Sequence, residues 1–127
     1  MTGMTPMDES ARSELAAVTE DEQTLRGLAS DPAVFVRRMV GTNPHTPEDV
    51  LRELVSEGDW TVKCGVASNP RASRSLLMDL ARDENEFVRA AVADNEKAPP
   101  AALRLLEQDD DSAVADKAHW NLKRRGL

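Results

Sequence analysis

The sequence predicts an all-α fold: a short α-solenoid, or superhelix, of four to five two-helix repeats of about 26 residues, with degenerate repeats as end caps. Three observations predict it. Similar residues return at a fixed interval, the apolar residues within each interval have helical spacing, and residues typical of helix ends separate the segments. Positions 26 residues apart form a column, and the clearest column is Val36, Val62, Val88 and Val114.

Several independent columns share this interval, so chance does not explain the agreement between them. A second valine column holds Val40, Val66 and Val92 and ends in Ala118. One asparagine column and two leucine columns are unbroken over four copies. They are Asn43, Asn69, Asn95 and Asn121; Leu25, Leu51, Leu77 and Leu103; and Leu28, Leu54, Leu80 and Leu106.

Each repeat contains two segments with the apolar spacing of a helix. Val36, Met39 and Val40 lie at i, i+3 and i+4 in the first segment, and Leu51 and Leu54 mark the same stripe in the second. Helices this short are marginal alone, so they must be stabilised by stacking on their neighbours. We therefore predict a core at first-helix positions 35, 36, 39, 40 and 43 and their equivalents.

Cap residues predict where these helices begin. Asp59, Asn85 and Asp111 are of the type preferred at an N-cap, and Thr46–Pro47 and Asp31–Pro32 join such a residue to a proline. Pro99 repeats the proline one copy after Pro47. These sequences predict starts for the second helices after Thr46 and near Pro99, and starts for the first helices after the remaining cap residues.

Asparagine followed by proline predicts where the first helices end. In Asn43–Pro44 and Asn69–Pro70 the asparagine tolerates a left-handed turn, and the proline cannot continue the helix. We expect the asparagine column to form a capping ladder.

The ends of the chain depart from the pattern. Ser10 and Glu14 occupy the valine columns of the first copy, so the first helix is out of phase, with Leu15 and Val18 as its apolar residues. We predict a disordered tail over residues 1–9 and a single domain over residues 10–127.

Composition excludes several functional classes. The 127 residues carry a formal charge of −7 and one cysteine, which argues against nucleic acid as the main partner and against an internal disulfide or a cysteine-based metal site. No apolar run is long enough to span a membrane, and the N-terminus lacks the features of a secretory signal. The sequence therefore predicts a cytoplasmic protein, with a monomer favoured.

The sequence shows no catalytic, cofactor or metal site. It has no glycine-rich phosphate loop, no nucleophile elbow and no paired histidines on a helix face. His45 and His119 are best interpreted as loop or end-cap residues, and the carboxylates of residues 107–111 as a solvated loop. Cys64, two positions from Val62, is expected to be partly exposed and not catalytic.

The repeat resembles known helical repeat families. An acid followed by Val-Arg, as in Asp83 with Val88–Arg89, is similar to the HEAT-repeat signature. Val36–Arg37, Val40, Asn43–Pro44, Thr46–Pro47, Leu51 and Leu54 more specifically resemble the leucine-rich repeat variant family. The resemblance covers residues 25–122, implies the fold, and implies that the second helices line a concave groove. Some family members carry a cysteine-rich iron–sulfur segment, which this chain lacks.

Two sets of charged columns are candidate functional residues. Arg37, Lys63 and Arg89 form a basic column that ends in Ala115, and Asp31, Glu57, Asp83 and Asp109 form an acidic one. We expect these to pair within or between repeats. The second set, the second-helix strip, is the candidate partner-binding site, with the alternative that its arginines only cover neighbouring apolar surface. It consists of Arg26, Arg52, Met78 and Arg104, flanked by Glu53, Asp79 and Leu105.

The sequence thus predicts a non-catalytic scaffold that binds an unknown protein partner along the groove of second helices, without a cofactor. One alternative is a nucleic-acid-binding solenoid with the architecture of HEAT-like DNA glycosylases, which the arginine column permits and the net charge opposes. Another alternative, implied only by the iron–sulfur segments of some family members, is an accessory subunit of a redox or metal-cluster enzyme.

Overall fold

A computed structural model describes residues 6–127, and over that range the chain is entirely helical, without a strand. Nine helices follow one another in this part of the chain. They are α1 (Glu9–Val18), α2 (Glu22–Leu28), α3 (Val34–Thr42), α4 (Glu48–Ser56), α5 (Trp60–Ala67), α6 (Arg74–Leu80), α7 (Glu86–Asp94), α8 (Pro100–Leu106) and α9 (Ser112–Arg124).

The first helix begins inside the tail predicted for residues 1–9. The side chain of Asp8 accepts the N–H of Ala11 at 2.8 Å, so Asp8 is the N-cap and Glu9 the first helical residue. The first five residues of the predicted tail lie outside the described residues. Helix α1 and its cap thus begin at Asp8, two residues before the boundary predicted at residue 10.

The predicted N-caps of the odd-numbered helices are confirmed at three places. Asp59, Asn85 and Asp111 each accept the N–H groups of the two residues at positions N2 and N3, which leaves those donors satisfied. The even-numbered helix α4 differs from the prediction, because the hydroxyl of Thr46 donates to the carbonyl oxygen of Val40 at 2.7 Å and caps nothing. Thr46 thus closes the turn that precedes the helix.

The odd-numbered helices contact one another in chain order, from α1 to α3, α5, α7 and α9. Each even-numbered helix packs between the odd-numbered helices that precede and follow it in the chain; α4, for example, contacts both α3 and α5. The core lies between these two sets. The valines of the odd-numbered helices and the leucines of the even-numbered ones supply its fully buried side chains, among them Val36, Val62, Leu51 and Leu77.

Three of the five predicted core columns, those of residues 36, 40 and 43, are buried at all four positions, and the column of residue 35 is wrong. Phe35 is 49% exposed and Phe87 is 58% exposed. Each comes directly before a fully buried valine, and one residue turns a helix by about 100°, which places the phenylalanine outside the buried stripe. The column of residue 39 is mixed, since Gly65 is buried whereas Lys117 is exposed.

Buried asparagines join consecutive odd-numbered helices. The side-chain amide of Asn69 donates to the carbonyl oxygens of Gly41 and Asn43, at 2.8 and 2.9 Å. Asn95 makes the same two bonds one copy later, to Ala67 and Asn69. The capping ladder predicted from the asparagine column is therefore confirmed, and it runs from Asn43 to Asn121.

The left-handed turn expected at these asparagines is wrong. Asn43 has φ −74° and ψ 121°, and among the described residues only Gly58 and Gly126 have positive φ. The side-chain oxygen of Asn43 accepts the backbone N–H of His45 at 2.8 Å. Because the side chain closes the turn itself, the backbone can stay extended.

Helices α3 and α5 approach closely because two glycines lie between them. A Cβ atom on Gly65 would lie 2.7 Å from the carbonyl oxygen of Arg38, and one on Gly41 would lie 3.1 Å from the backbone nitrogen of Val66. Side chains at these positions would force the two helices apart.

Candidate functional site

The charged columns form ion pairs, each between an odd-numbered helix and the end of the next even-numbered one. Arg37 pairs with Glu57 at 2.9 Å, Lys63 with Asp83 at 2.9 Å, and Arg89 with Asp109 at 2.8 Å. The expected pairing of the basic column with the acidic column is confirmed. The sequence missed one member, Arg12, which pairs with Asp31 at 2.7 Å and lies 25 rather than 26 residues before Arg37.

The acids of these pairs also organise the loops. Asp31 accepts the N–H of Ala33 at 2.9 Å while it receives the guanidinium of Arg12, and the hydrogen bond from Arg12 holds the pKa of Asp31 below its usual value. For Asp109 burial is the largest single effect and raises the pKa, but the hydrogen bonds from Arg89 and from the backbone N–H of Asp111, together with the positive charge of Arg89, lower it by more, so the net shift is downward. These carboxylates already accept hydrogen bonds from guanidinium and backbone N–H groups. They therefore hold neighbouring helices together and are not available to bind a ligand.

The second-helix strip begins with two arginines that are already bound within the chain. Arg26 donates to Asp49 at 2.8 Å and to Glu22 at 3.2 Å, and these hydrogen bonds raise its pKa. Arg52 contacts Glu48 at 3.1 Å and donates to Ser75 of the next even-numbered helix at 2.7 Å. The guanidinium group of Arg26 therefore bridges α2 to α4, and that of Arg52 bridges α4 to α6.

The remaining residues of the second-helix strip differ from one another. Met78 is half-buried and packs against the core, whereas Glu53 and Asp79 are exposed. Arg104 makes no ion pair with the described side chains, and the adjacent Leu105 is 40% exposed. The structure does not gather these side chains into one cavity.

Other sequence candidates have structural contacts. His45 lies 3.3 Å from Glu20, and His119 lies 3.1 Å from Glu107. In residues 107–111, Asp111 caps α9, and among the residues that the structure describes no group of three or more His, Cys, Asp or Glu could hold a metal. The partial exposure expected for Cys64 is wrong, because this thiol is buried and its burial raises its pKa.

All four aromatic side chains of the protein lie on its surface. The chain has two tryptophans, two phenylalanines and no tyrosine. Their exposed fractions are 49% for Phe35, 47% for Trp60, 58% for Phe87 and 53% for Trp120. The core is thus built from aliphatic side chains, and the largest apolar groups remain in contact with solvent.

Three of these aromatic residues occupy the first two positions of α3, α5 and α7, and we call the surface that they share the aromatic face. The rings of Trp60 and Phe87 lie 5.4 Å apart between centroids and are tilted by 33°. Phe35 is the second residue of α3, the helix that packs on the opposite side of α5 from α7. An aromatic pair at this distance is attractive beyond the area it buries, so α5 and α7 hold their rings in a fixed position.

A cavity of about 410 Å³ opens on the aromatic face. Trp60, Cys64, Phe87 and the two alanines of α7 supply apolar lining, and Thr61 and Ser68 add hydroxyl groups. Two charged residues stand at its edge, with Arg38 of α3 on one side and Asp94 of α7 on the other. The cavity is therefore an open depression of mixed polar and apolar lining between a cation and a carboxylate.

One sequence signal points to this face. Phe35 and Phe87 share a column, but that column is predicted from the sequence to lie in the core. Trp60 belongs to the preceding column, so no periodic pattern connects it with Phe87. The contact between them exists only because α5 and α7 lie side by side.

No helix in residues 6–127 has both the length and the apolar character needed to cross a membrane. Comparison with protein-family models, with curated proteins and with solved structures found no match.

Proposed function

We propose that the protein is a short α-solenoid of the leucine-rich repeat variant type, built from stacked helix pairs. The hydrogen bonds support this arrangement, because Asn69, Asn95 and Asn121 each donate to the asparagine 26 residues earlier. The ion pairs support it as well, since three of them join residues 20 apart at equivalent places. The family name comes from the sequence motif that resembles the leucine-rich repeat variant family.

Within this fold we infer that the protein acts as a non-catalytic module that binds a partner protein. The observation that carries this proposal is the exposure of all four aromatic side chains above an aliphatic core. Burial of an exposed aromatic ring is among the larger contributions to protein association, and tryptophan is enriched at the energetic centres of interfaces. The side chains of this surface are suited to contact with another protein. They do not form the arrangement of acid, base and nucleophile that catalysis would need.

The aromatic face is better supported as the binding surface than the second-helix strip. The guanidinium groups of Arg26 and Arg52 already satisfy carboxylate and hydroxyl groups of neighbouring helices, and a partner would have to displace them. On the aromatic face the rings and the cavity are open and need no rearrangement. The second-helix strip remains the competing surface because Arg104 and Leu105 are exposed.

Affinity capture from an extract of the source organism tests the proposal and separates the two surfaces. The bait is the wild-type chain, the double variant Trp60→Ser/Phe87→Ser, or the matched variant Arg52→Glu/Arg104→Glu, with bound proteins quantified by mass spectrometry. We expect a protein that the wild type and the arginine variant retain and the aromatic variant loses. Retention by the aromatic variant and loss by the arginine variant would move the site to the second-helix strip, and no selective capture by any bait would contradict the proposal.

A further inference from the structure

The aromatic face is complementary to itself under a two-fold rotation. It carries exposed rings on both outer helices, Phe35 on α3 and Phe87 on α7, and an open cavity of mixed lining over α5 and α7. It also carries a cation on α3 and carboxylates on α7. A two-fold axis that runs parallel to α5 in the plane of the contact places α3 of one copy over α7 of the other, which brings Phe35 of one copy to Phe87 of the other and each cation to the carboxylates.

The column positions define this register more closely. Arg38, Cys64 and Ala90 are equivalent residues of α3, α5 and α7, being 26 residues apart. A two-fold axis near Cys64 therefore carries Arg38 of one copy above Ala90 of the other. Glu86 and Asp94 lie four residues before and after Ala90, on the same side of α7. Arg38 would sit between these two carboxylates.

The charges needed for this contact are available. Neither Arg38 nor Glu86 makes an ion pair with the described side chains, and Asp94 pairs only with Lys117, in a contact that leaves the Asp94 side chain 55% exposed. The apolar centre, with Trp60 and Phe87, would be covered by the second copy, as expected for the dry middle of an interface with a polar rim.

We propose that the aromatic face binds a second copy of this chain and forms a two-fold symmetric dimer through Phe35, Trp60, Phe87 and the Arg38 contact. This inference rests on the surface assigned under the proposed function and names its occupant. It departs from the monomer that the sequence favoured, because the sequence did not show that the aromatic residues lie outside the core.

Sedimentation velocity and light scattering of the purified chain measure the association directly. We expect a monomer–dimer equilibrium within about 1 µM to 1 mM, the range of ordinary reversible contacts. Phe35→Ser and Trp60→Ser are each expected to weaken it at least about tenfold, whereas Trp120→Ser leaves it unchanged. Circular dichroism verifies that each variant keeps its helices. A wild-type chain that is monomeric over the whole range, or a dimer insensitive to both substitutions, overturns the proposal.

Charge reversal tests the two-fold register. One variant carries Arg38→Glu, and the other carries Glu86→Lys and Asp94→Lys. Each variant alone places like charges together in its own dimer, so each is expected to associate at least about tenfold more weakly than the wild type. A mixture of the two places opposite charges together at both contacts, and it is expected to form a mixed dimer. A mixture that stays monomeric overturns the proposed register.

Tryptophan fluorescence supplies a readout that folding defects do not imitate. In a Trp120→Phe background only Trp60 emits, and its emission should shift to shorter wavelength as the concentration rises. An unchanged spectrum while the dimer forms overturns the proposal. Failure of the dimer together with Trp60-dependent capture of another protein would refute only this inference, and loss of selective capture with an intact dimer would refute only the binding of a separate partner.

Discussion

At the scale of single residues, the buried asparagines replace backbone hydrogen bonds that short helices leave unmade. The last carbonyl groups of any helix lack a partner within it. Asn69 satisfies the carbonyl of Gly41 at the end of α3 and that of the preceding asparagine, while its own oxygen accepts the N–H of Arg71. One fully buried side chain thus serves three backbone groups, two at the end of α3 and one in the loop after α5.

Asn69→Ala is expected to lower the free energy of unfolding by about 3 kcal/mol or more, because it leaves buried carbonyl and amide groups unsatisfied. The matched variant Asn85→Ala removes the half-buried N-cap of α7 and should lower it by about 1 kcal/mol. Urea unfolding monitored by circular dichroism measures both. Equal losses would show that the ladder contributes no more than an ordinary cap.

The Arg12–Asp31 pair predicts how stability depends on pH. Because the folded-state pKa of Asp31 lies below that of the unfolded chain, about 3.9, the ionised carboxylate stabilises the fold above that pH. This contribution decreases as the pH falls from about 4 through the folded-state pKa. Asp31→Asn is therefore expected to be less stable than the wild type at pH 7, with a difference that shrinks in acid.

Thermal unfolding at pH 7, 5, 4 and 3 measures that difference. Glu53→Gln is the control, because Glu53 is exposed and makes no ion pair with the described side chains. We expect this variant to match the wild type at pH 7. A deficit of Asp31→Asn that stays constant down to pH 3 would show that the loss comes from packing and not from the charge.

At the scale of helices, the glycines decide how closely neighbours stack. Gly65 lies on the side of α5 that meets α3, and its missing side chain leaves room for the backbone of Arg38. Gly27 also lies within a helix, α2, yet nothing comes within 4 Å of the position of its absent Cβ atom. The two residues have the same helix propensity and different surroundings.

Gly65→Ala is expected to destabilise the protein by about 1–3 kcal/mol, because the new methyl group meets a backbone oxygen that cannot move without separating α3 from α5. Gly27→Ala is expected to stabilise it by about 0.5–1 kcal/mol, since alanine is the better helix former and here meets no obstacle. Chemical denaturation of the pair gives both values. If both substitutions stabilise the protein, the close approach of α3 and α5 is not present in solution.

At the scale of the whole molecule, the proposed solenoid makes each helix pair interchangeable with the next. Contacts join neighbouring helices, and residues of α9 differ from the columns. Asp116 and His119, for example, stand in α9 where Ala90 and Ala93 stand in α7. Both residues are exposed, since no described helix covers this side of α9.

Deletion of residues 88–113, one interval of 26, is expected to leave a folded protein. It joins Phe87 to Val114, keeps the cap at Asn85, and brings Asn121 to the position of Asn95. Deletion of residues 88–111, two residues fewer, would turn the following valine by about 200° out of the core. Helical circular dichroism with one cooperative melting transition is expected only for the first deletion; similar behaviour of both would contradict the repeat.

Recurring contacts could be predicted from the sequence, and contacts made once could not. Asn69 and the pair Arg89–Asp109 recur at the interval, so their roles followed from their columns. Arg12 escaped prediction because α1 is shifted by one residue. Trp60 escaped because its contact with Phe87 joins two different columns.

Local spacing along the chain suffices to predict the helices, their interval, the aliphatic stripes that they bury and the N-caps at Asp59, Asn85 and Asp111. Only the tertiary structure decided that Phe35 and Phe87 lie outside the stripe and that Arg26 and Arg52 bind neighbouring helices. The physical reason is that a residue at the edge of a helical stripe is buried or exposed according to where the next helix lies. A periodic pattern does not contain that position.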